Sequence, residues 1–259
     1  MSGAATEGGT DALRAEGIVK TFGHVMALNG VSMRVARGEM LGILGDNGAG
    51  KSTLMKILTG YHQPNAGQVF VDGAAVQLSS VDRARAFGIE CVYQDLALIN
   101  GLSIYHNLFL NREILRPGPF RLLDHRAMRA RAEAALADIG VNVPSVDLEV
   151  GALSGGQRQA IAVARAVASN ARILLLDEPL AAMGAREAGL IIGLIERLKA
   201  RGDIAIVMIA HNYAQTLEIC DRVMLMQHGE VTFQSRAAAT SPVELLEIVR
   251  REYRAARVG

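Results

Sequence analysis

Five short stretches of this chain combine residue types suited to phosphate chemistry, and they follow one another in a fixed order. Gly45-Asp46-Asn47-Gly48-Ala49-Gly50-Lys51-Ser52 satisfies the spacing GxxxxGK[ST]. Glycines there let successive N–H groups converge on phosphate oxygens, and the helix that must follow adds its positive end. Lys51 is suited to neutralise β- and γ-phosphate charge, Ser52 offers a hydroxyl to Mg²⁺, and Thr53 is counted with the same cradle. Ile173-Leu174-Leu175-Leu176-Asp177-Glu178 is an apolar run ending in two carboxylates. At the end of a buried strand, Asp177 can hold Mg²⁺ through its water shell and Glu178 can take a proton from an attacking water. Leu153-Ser154-Gly155-Gly156-Gln157 precedes a helical stretch and makes a second cradle of N–H groups and a hydroxyl, or, more plainly, a helix cap at Ser154. One nucleotide does not need two cradles, so the second makes sense if it closes over a nucleotide held by another copy. Gln94 and His211, weak signals singly, each follow a β-type segment and can reach the γ-phosphate end. Phe22, upstream of the lysine loop, offers an aromatic face to a base or else fills core.

These groups must be positioned by strands alternating with helices. Residues 40–44 form a nearly continuous apolar run, as in a strand buried on both faces, and 51–59 carry helical spacing. Short alternating segments at 17–20, 31–35 and 68–73 predict further strands before and after the lysine loop. Between about 95 and 165 the character changes. Residues 124–139 are rich in Ala, Arg and Leu with helical periodicity and their neighbours read as helical too, which predicts a helical subdomain inserted into an α/β core. Helix and strand then alternate again: strand 173–176, helix 187–199, strand 204–209, helix 213–220. Residues 222–227 and 230–234 flank His228-Gly229 as a hairpin. Ser241-Pro242-Val243-Glu244 carries a capping box with proline at the first helical position, so a last helix should run to about Arg254. A mostly parallel sheet follows from this alternation.

With 259 residues, half of them hydrophobic and a fifth charged, the composition is that of a globular protein with ample core. A formal net charge of +1 leaves no electrostatic footprint for nucleic acid. Cys91 and Cys220 lack CxxC spacing, which argues against a zinc site and for buried thiols in a reducing compartment. The longest apolar runs fall far short of the roughly 20 residues of a membrane span, and residues 1–13 read as a flexible tail without signal-peptide character. A membrane role would therefore come through a partner.

Taken in this order, the motifs resemble those of the ATP-binding subunits of ABC transporters, over about 14–236, with 237–259 left as a C-terminal helix and tail. The resemblance implies an α/β P-loop NTPase fold of ABC-ATPase type, with a mostly parallel core sheet, an antiparallel β subdomain and the inserted helical subdomain. It implies ATP hydrolysis with ATP and Mg²⁺ as cofactors, Mg²⁺ being held by Ser52, Gln94 and Asp177. By the same resemblance Phe22 stacks on adenine, and Gln94 links the metal and the attacking water to a membrane partner. Ser154 and Gly156, flanked by Gly155 and Gln157, contact the γ-phosphate across a head-to-tail dimer of two copies; Glu178 is the base, and His211 touches the γ-phosphate. Residues 59–67 and 92–98 are similar to ATPases of simple-sugar importers of ribose, xylose and fructose type, single-domain fructose-import ATPases above all. That implies integral permease subunits as partners, a periplasmic or extracellular sugar-binding protein acting indirectly, and a peripheral location on the cytoplasmic face of the membrane. Two departures stand out: Gly184 occupies a position where the family usually carries Asp, and Leu180 stands where it usually carries Thr or Ser. Activity is expected to survive both, the coupling between two sites being what Gly184 puts at stake. Two other functions compete: a soluble ATPase of the same family acting on ribosomes or DNA, and a non-catalytic nucleotide-sensing subunit.

Overall fold

The computed structural model describes residues 11–255, with side chains to 251. Its first half runs β1 (Asp11–Phe22), β2 (Val25–Ala36), β3 (Met40–Leu44), α1 (Lys51–Leu58), β4 (Ala66–Val71), β5 (Ala74–Val76), α2 (Val81–Ala86) and β6 (Ile89–Val92). After α3 (Ile104–Leu108), α4 (His125–Asp138) and α5 (Gly155–Ala168) come β7 (Ile173–Asp177), α6 (Ala185–Ala200), β8 (Ala205–Ile209) and α7 (Tyr213–Ile219). The chain closes with β9 (Arg222–Gln227), β10 (Glu230–Arg236) and α8 (Pro242–Ala255).

The strands form two sheets. A four-stranded antiparallel sheet has the order β2-β1-β4-β5, and a six-stranded sheet has the order β10-β9-β3-β8-β7-β6. In the second, β9, β3, β8, β7 and β6 are parallel neighbours and only β10 runs antiparallel. Continuous apolar runs make these central strands because both faces are covered. Leu174, Leu176, Ile206 and Met208 point into a core shared with α4, α5 and α6, while Ile173, Leu175, Val207 and Ile209 point into one shared with α1 and the antiparallel sheet. The period of two therefore assigns alternate residues of one strand to two different cores.

Three expectations need correction. Asp11–Leu13, placed in the tail, belong to β1: Asp11 pairs with Ala36, Leu13 pairs with Val71, and Ala12 and Leu13 are buried. The remainder of the expected tail, residues 1–10, lies outside the described residues. The neighbours of α4 are mostly not helical. Between β6 and α5 only α3, five residues long, and a 3₁₀ turn at Val150–Ala152 accompany it, and 109–124 instead folds back on itself, with Arg116 N donating to Leu122 O and Asp124 N to Ile114 O. Pro117-Gly118-Pro119 supplies no N–H at two of three positions and a left-handed glycine at the third, so a helix cannot continue there. Finally, α5 runs unbroken to Ala168, across the boundary placed at 165. The hairpin turn falls as expected, with His228 and Gly229 both in the left-handed region that a two-residue turn requires.

Candidate active site at the strand ends

Register brings most of the chemical residues to one edge. Val92 pairs with Leu176, Asp177 with Ile209, Ile43 with Ile209 and Leu44 with Leu225, so the carboxyl ends of β6, β7, β8, β3 and β9 coincide. The loops carrying Gln94, Glu178, His211 and Gly45 all leave from that edge, where open α/β sheets bind ligands.

The lysine loop is shaped by what packs behind it. Gly50, φ 99°, caps α1 with no side-chain hydrogen bond, and a Cβ there would come within 2.7 Å of Ala27 O on β2. A Cβ on Gly45 would collide with Met226 O on β9. The β9–β10 turn clamps the loop, Gly229 N donating to Ala49 O (3.1 Å) and Gly229 O accepting from Asn29 N (2.8 Å). Asp46, Asn47 and Gly48 line a small concavity with Gln227 and His228. Lys51 is almost fully buried, and its Nζ donates to Gly45 O (2.6 Å) and Asp46 O (2.9 Å). Burial lowers the pKa of its ammonium, opposed by the negative charges of Glu178, Asp46 and Asp177. A buried ammonium hydrogen-bonded only to carbonyls, beside a helix N-terminus without a side-chain cap, favours an anion seated directly on it. Ser52 is exposed and Thr53 half-buried on the first turn. The cradle therefore fits the phosphates of a nucleotide.

Glu178 sits opposite. Its φ of 51° is left-handed, a cost for a side chain with a Cβ, and the conformation is held by its N–H on Ile209 O (3.0 Å). That kink turns its carboxylate towards His211, whose Nε2 shares a hydrogen bond with Glu178 Oε1. Asp177 is half-buried; desolvation first, then the adjacent Glu178 charge, push its carboxyl above the usual range, while Lys51, His211 and Lys56 pull it down. A carboxylate destabilised in this way gains from a cation beside it. Gln94 is exposed two residues beyond β6. Phe22 ends β1 with 43% of its surface exposed, Lys20 Nζ 5.1 Å from its ring centroid and His62 packed edge-on at 5.1 Å. His62 lies in the 59–67 stretch, but sequence reasoning gave it no role of its own; only the fold brings it beside Phe22.

The second cradle stands apart on α5. Ser154 caps that helix: its Oγ accepts from Gln157 N (3.3 Å) while Gln157 Oε1 accepts from Ser154 N (3.0 Å). The Gly156 N–H goes to Glu187 Oε1 on α6 (3.3 Å). Capping and phosphate binding at Ser154 are compatible, since a hydroxyl that accepts from N–H retains a proton to donate. The same helix anchors the segment after Gln94, with Arg165 donating to Leu96 O and Ala97 O, both at 2.8 Å.

A groove of about 630 Å³ is lined in part by Arg85, Glu90, Ala97, Leu110, Arg112 and Arg165, reaching the segment after Gln94 through Ala97. Arg112 Nη2 donates to the buried Glu90 at 2.5 Å, and Arg85 lies 3.8 Å from the other carboxylate oxygen. Both thiols are free, and burial raises both pKa values, that of Cys220 to about 12, so they are inert packing groups as expected. Leu180, unexplained from sequence, is half-buried and packs against the core.

A family model described as "ABC transporter" matches residues 28–181. The chain belongs to that family, and it is the family's ATP-binding, ATP-hydrolysing cassette. It is 41% identical over 240 residues to a xylose/arabinose import ATP-binding protein of Sulfolobus acidocaldarius, covering 93% of this chain and 94% of that one. Identity to a fructose import ATP-binding protein of Rhizobium meliloti is 42% over 222 residues, covering 84% and 85%. Against a ribose import ATP-binding protein of Chromobacterium violaceum it is 40% over 233 residues, or 90% of this chain but 46% of that longer relative. Among solved structures, the ADP conformation of the ATP-binding cassette MJ1267 aligns with TM-score 0.81 at 26% identity, covering 92% of this chain and 98% of that one. A dimeric post-hydrolysis cassette, MJ0796 bound to ADP and phosphate, aligns with TM-score 0.73 at 25% identity, covering 87% and 98%.

Proposed function

We propose that this chain hydrolyses ATP to drive uptake of a simple sugar, a monosaccharide such as fructose, xylose or ribose, through a membrane permease. The observation carrying this is likeness at about 40% identity, over nearly the whole of both chains, to a relative named for xylose/arabinose import, joined to an intact catalytic edge. Peripheral attachment at the cytoplasmic face through permease subunits is supported by the likeness to import ATP-binding proteins; no helix among the described residues is long and apolar enough to cross a membrane. The groove beside Gln94 is the proposed docking surface, and a periplasmic or extracellular binding protein would deliver the sugar to the permease. A near-neutral net charge weighs against action on nucleic acid.

The geometry of the strand ends supports the following roles. Phosphate oxygens replace the carbonyls of Gly45 and Asp46 as acceptors for Lys51, and the N–H groups of 45–53 close round them. Phe22 carries the adenine. Ser52, Gln94 and Asp177 would hold Mg²⁺, which would neutralise phosphate charge there. Glu178 orients a water and takes its proton, while His211, sharing the same carboxylate, is within reach of the γ-phosphate. Two copies pair head to tail so that Ser154 and Gly156 of each cover the other's nucleotide.

Native membranes incubated with tagged Glu178→Gln and Mg-ATP provide the test, read by mass spectrometry of co-purifying proteins. The expected result is a polytopic permease. Ribosomal proteins, or an ATP-bound protein without partners, would overturn the transport function.

A further inference from the structure

The proposed dimer requires the Gly156 N–H to face the γ-phosphate held by the other copy, and in this structure that donor already has an anion on it. Glu187 Oε1 accepts from Gly156 N at 3.3 Å. The approach is close: a Cβ on Gly156 would lie 3.0 Å from Glu187 Cβ and 3.2 Å from its Cγ, so the absence of a side chain at Gly156 is what admits Glu187. The carboxylate also lies beside Gly155, 3.7 Å from where its Cβ would be. Glu187 is in the first turn of α6, whose N-cap, Gly184, offers no side-chain oxygen. Its partner is thus on α5, across the contact between the two helices.

We infer that Glu187 is an internal stand-in for the γ-phosphate on the Gly156 N–H, and that its displacement sets how much ATP the dimer needs to close. This rests on the dimer described above. The physical reason is competition for one donor. A single N–H cannot serve two anions well, and a carboxylate left beside an arriving phosphate repels it in a site that is losing water. ADP brings no γ-phosphate to displace Glu187, so the same contact favours the open state after hydrolysis. Because α6 begins seven residues after Asp177-Glu178, the displaced side chain belongs to the segment that leads directly out of the catalytic edge.

The test uses the full chain carrying Glu178→Gln, so that ATP binds without turnover, and follows dimer mass by light scattering against ATP concentration. Adding Glu187→Gln keeps shape and acceptor but removes the charge; it should lower the half-saturating ATP for dimerisation at least about fivefold, a modest share of the cost of like charges in contact. Glu187→Ala should act in the same direction. Binding of a fluorescent ADP to the monomer should be unchanged in both, and matching thermal melts would show that both fold. If Glu187 merely tethers the two helices, Glu187→Gln will leave the ATP requirement as it is and Glu187→Ala will raise it; either result overturns the inference while the dimer stands. Failure of the Glu178→Gln parent to dimerise with ATP at all would overturn dimer and inference together.

Discussion

Charge placed where it is uncomfortable characterises the individual residues of this site. The Lys51 ammonium is buried against carbonyls, Asp177 is half-buried beside a second carboxylate, and Glu178 is held in a left-handed conformation. Phosphates would give the first a charged acceptor and a cation would relieve the second, which is how binding energy can be directed at reacting atoms. Glu178→Gln, which removes the proton acceptor but keeps the shape, should cut phosphate release by ~10²–10⁴-fold while nucleotide binding persists. Wild-type turnover in that variant would remove Glu178 from the base role. Asp177 makes a pH prediction with a definite sign. Its raised pKa means that the charged form weakens the nucleotide-free fold, a penalty that builds as pH rises from the ordinary carboxylate range through the raised value and lifts again as pH falls. Asp177→Asn, neutral throughout, should raise the Tm of the nucleotide-free protein at pH 7, the gain shrinking in acid, and should abolish Mg²⁺-dependent hydrolysis. A pH-independent difference in Tm would show that this charge is not its source.

At the scale of elements, α5 joins three parts of the proposed machine. Its N-terminus presents Ser154 and Gly156, its middle packs between the core sheet and α6, and Arg165 grips the stretch after Gln94. A helix of 14 residues, about 20 Å long, transmits displacement because its length is set by backbone hydrogen bonds. The cap and the phosphate contact at Ser154 can be separated. Ser154→Ala should cost about 1 kcal/mol of stability through the lost cap. Ser154→Asp keeps a good cap and hence the Tm, yet it directs a negative charge at the phosphate and should abolish ATP-dependent dimerisation and turnover. Comparable ATPase activity in Ser154→Asp and wild type would reduce Ser154 to a cap.

In the whole molecule, two cores on opposite faces of one sheet separate two tasks. The antiparallel sheet and the β9–β10 turn hold the nucleotide loop rigid, and the helical side carries the second cradle and the groove. Docking and chemistry should therefore be separable by mutation. Asp82 is exposed at the groove, on α2, and belongs to neither cradle. Asp82→Arg should leave basal hydrolysis of the isolated protein unchanged and eliminate its recovery with membranes; retention on membranes would move the docking surface elsewhere.

The local motifs and the alternation of strands and helices were legible in the sequence because each depends on short-range physics: period, turn chemistry and capping. The lysine loop, the carboxylate pair at the end of β7, the His228-Gly229 turn and α8 all follow from neighbours along the chain. The foldback of 109–124 was also written locally, in Pro117-Gly118-Pro119, but it was masked by the helical composition around it. What adjoins what across the sheet was decided by tertiary structure alone. His62 beside Phe22, Arg165 on the carbonyls after Gln94, Glu90 on Arg112 and Glu187 on the Gly156 N–H join residues 22 to 69 positions apart. No spacing rule relates such pairs, because their meeting depends on strand order, register and the way α5 and α6 pack, which only the folded chain as a whole determines.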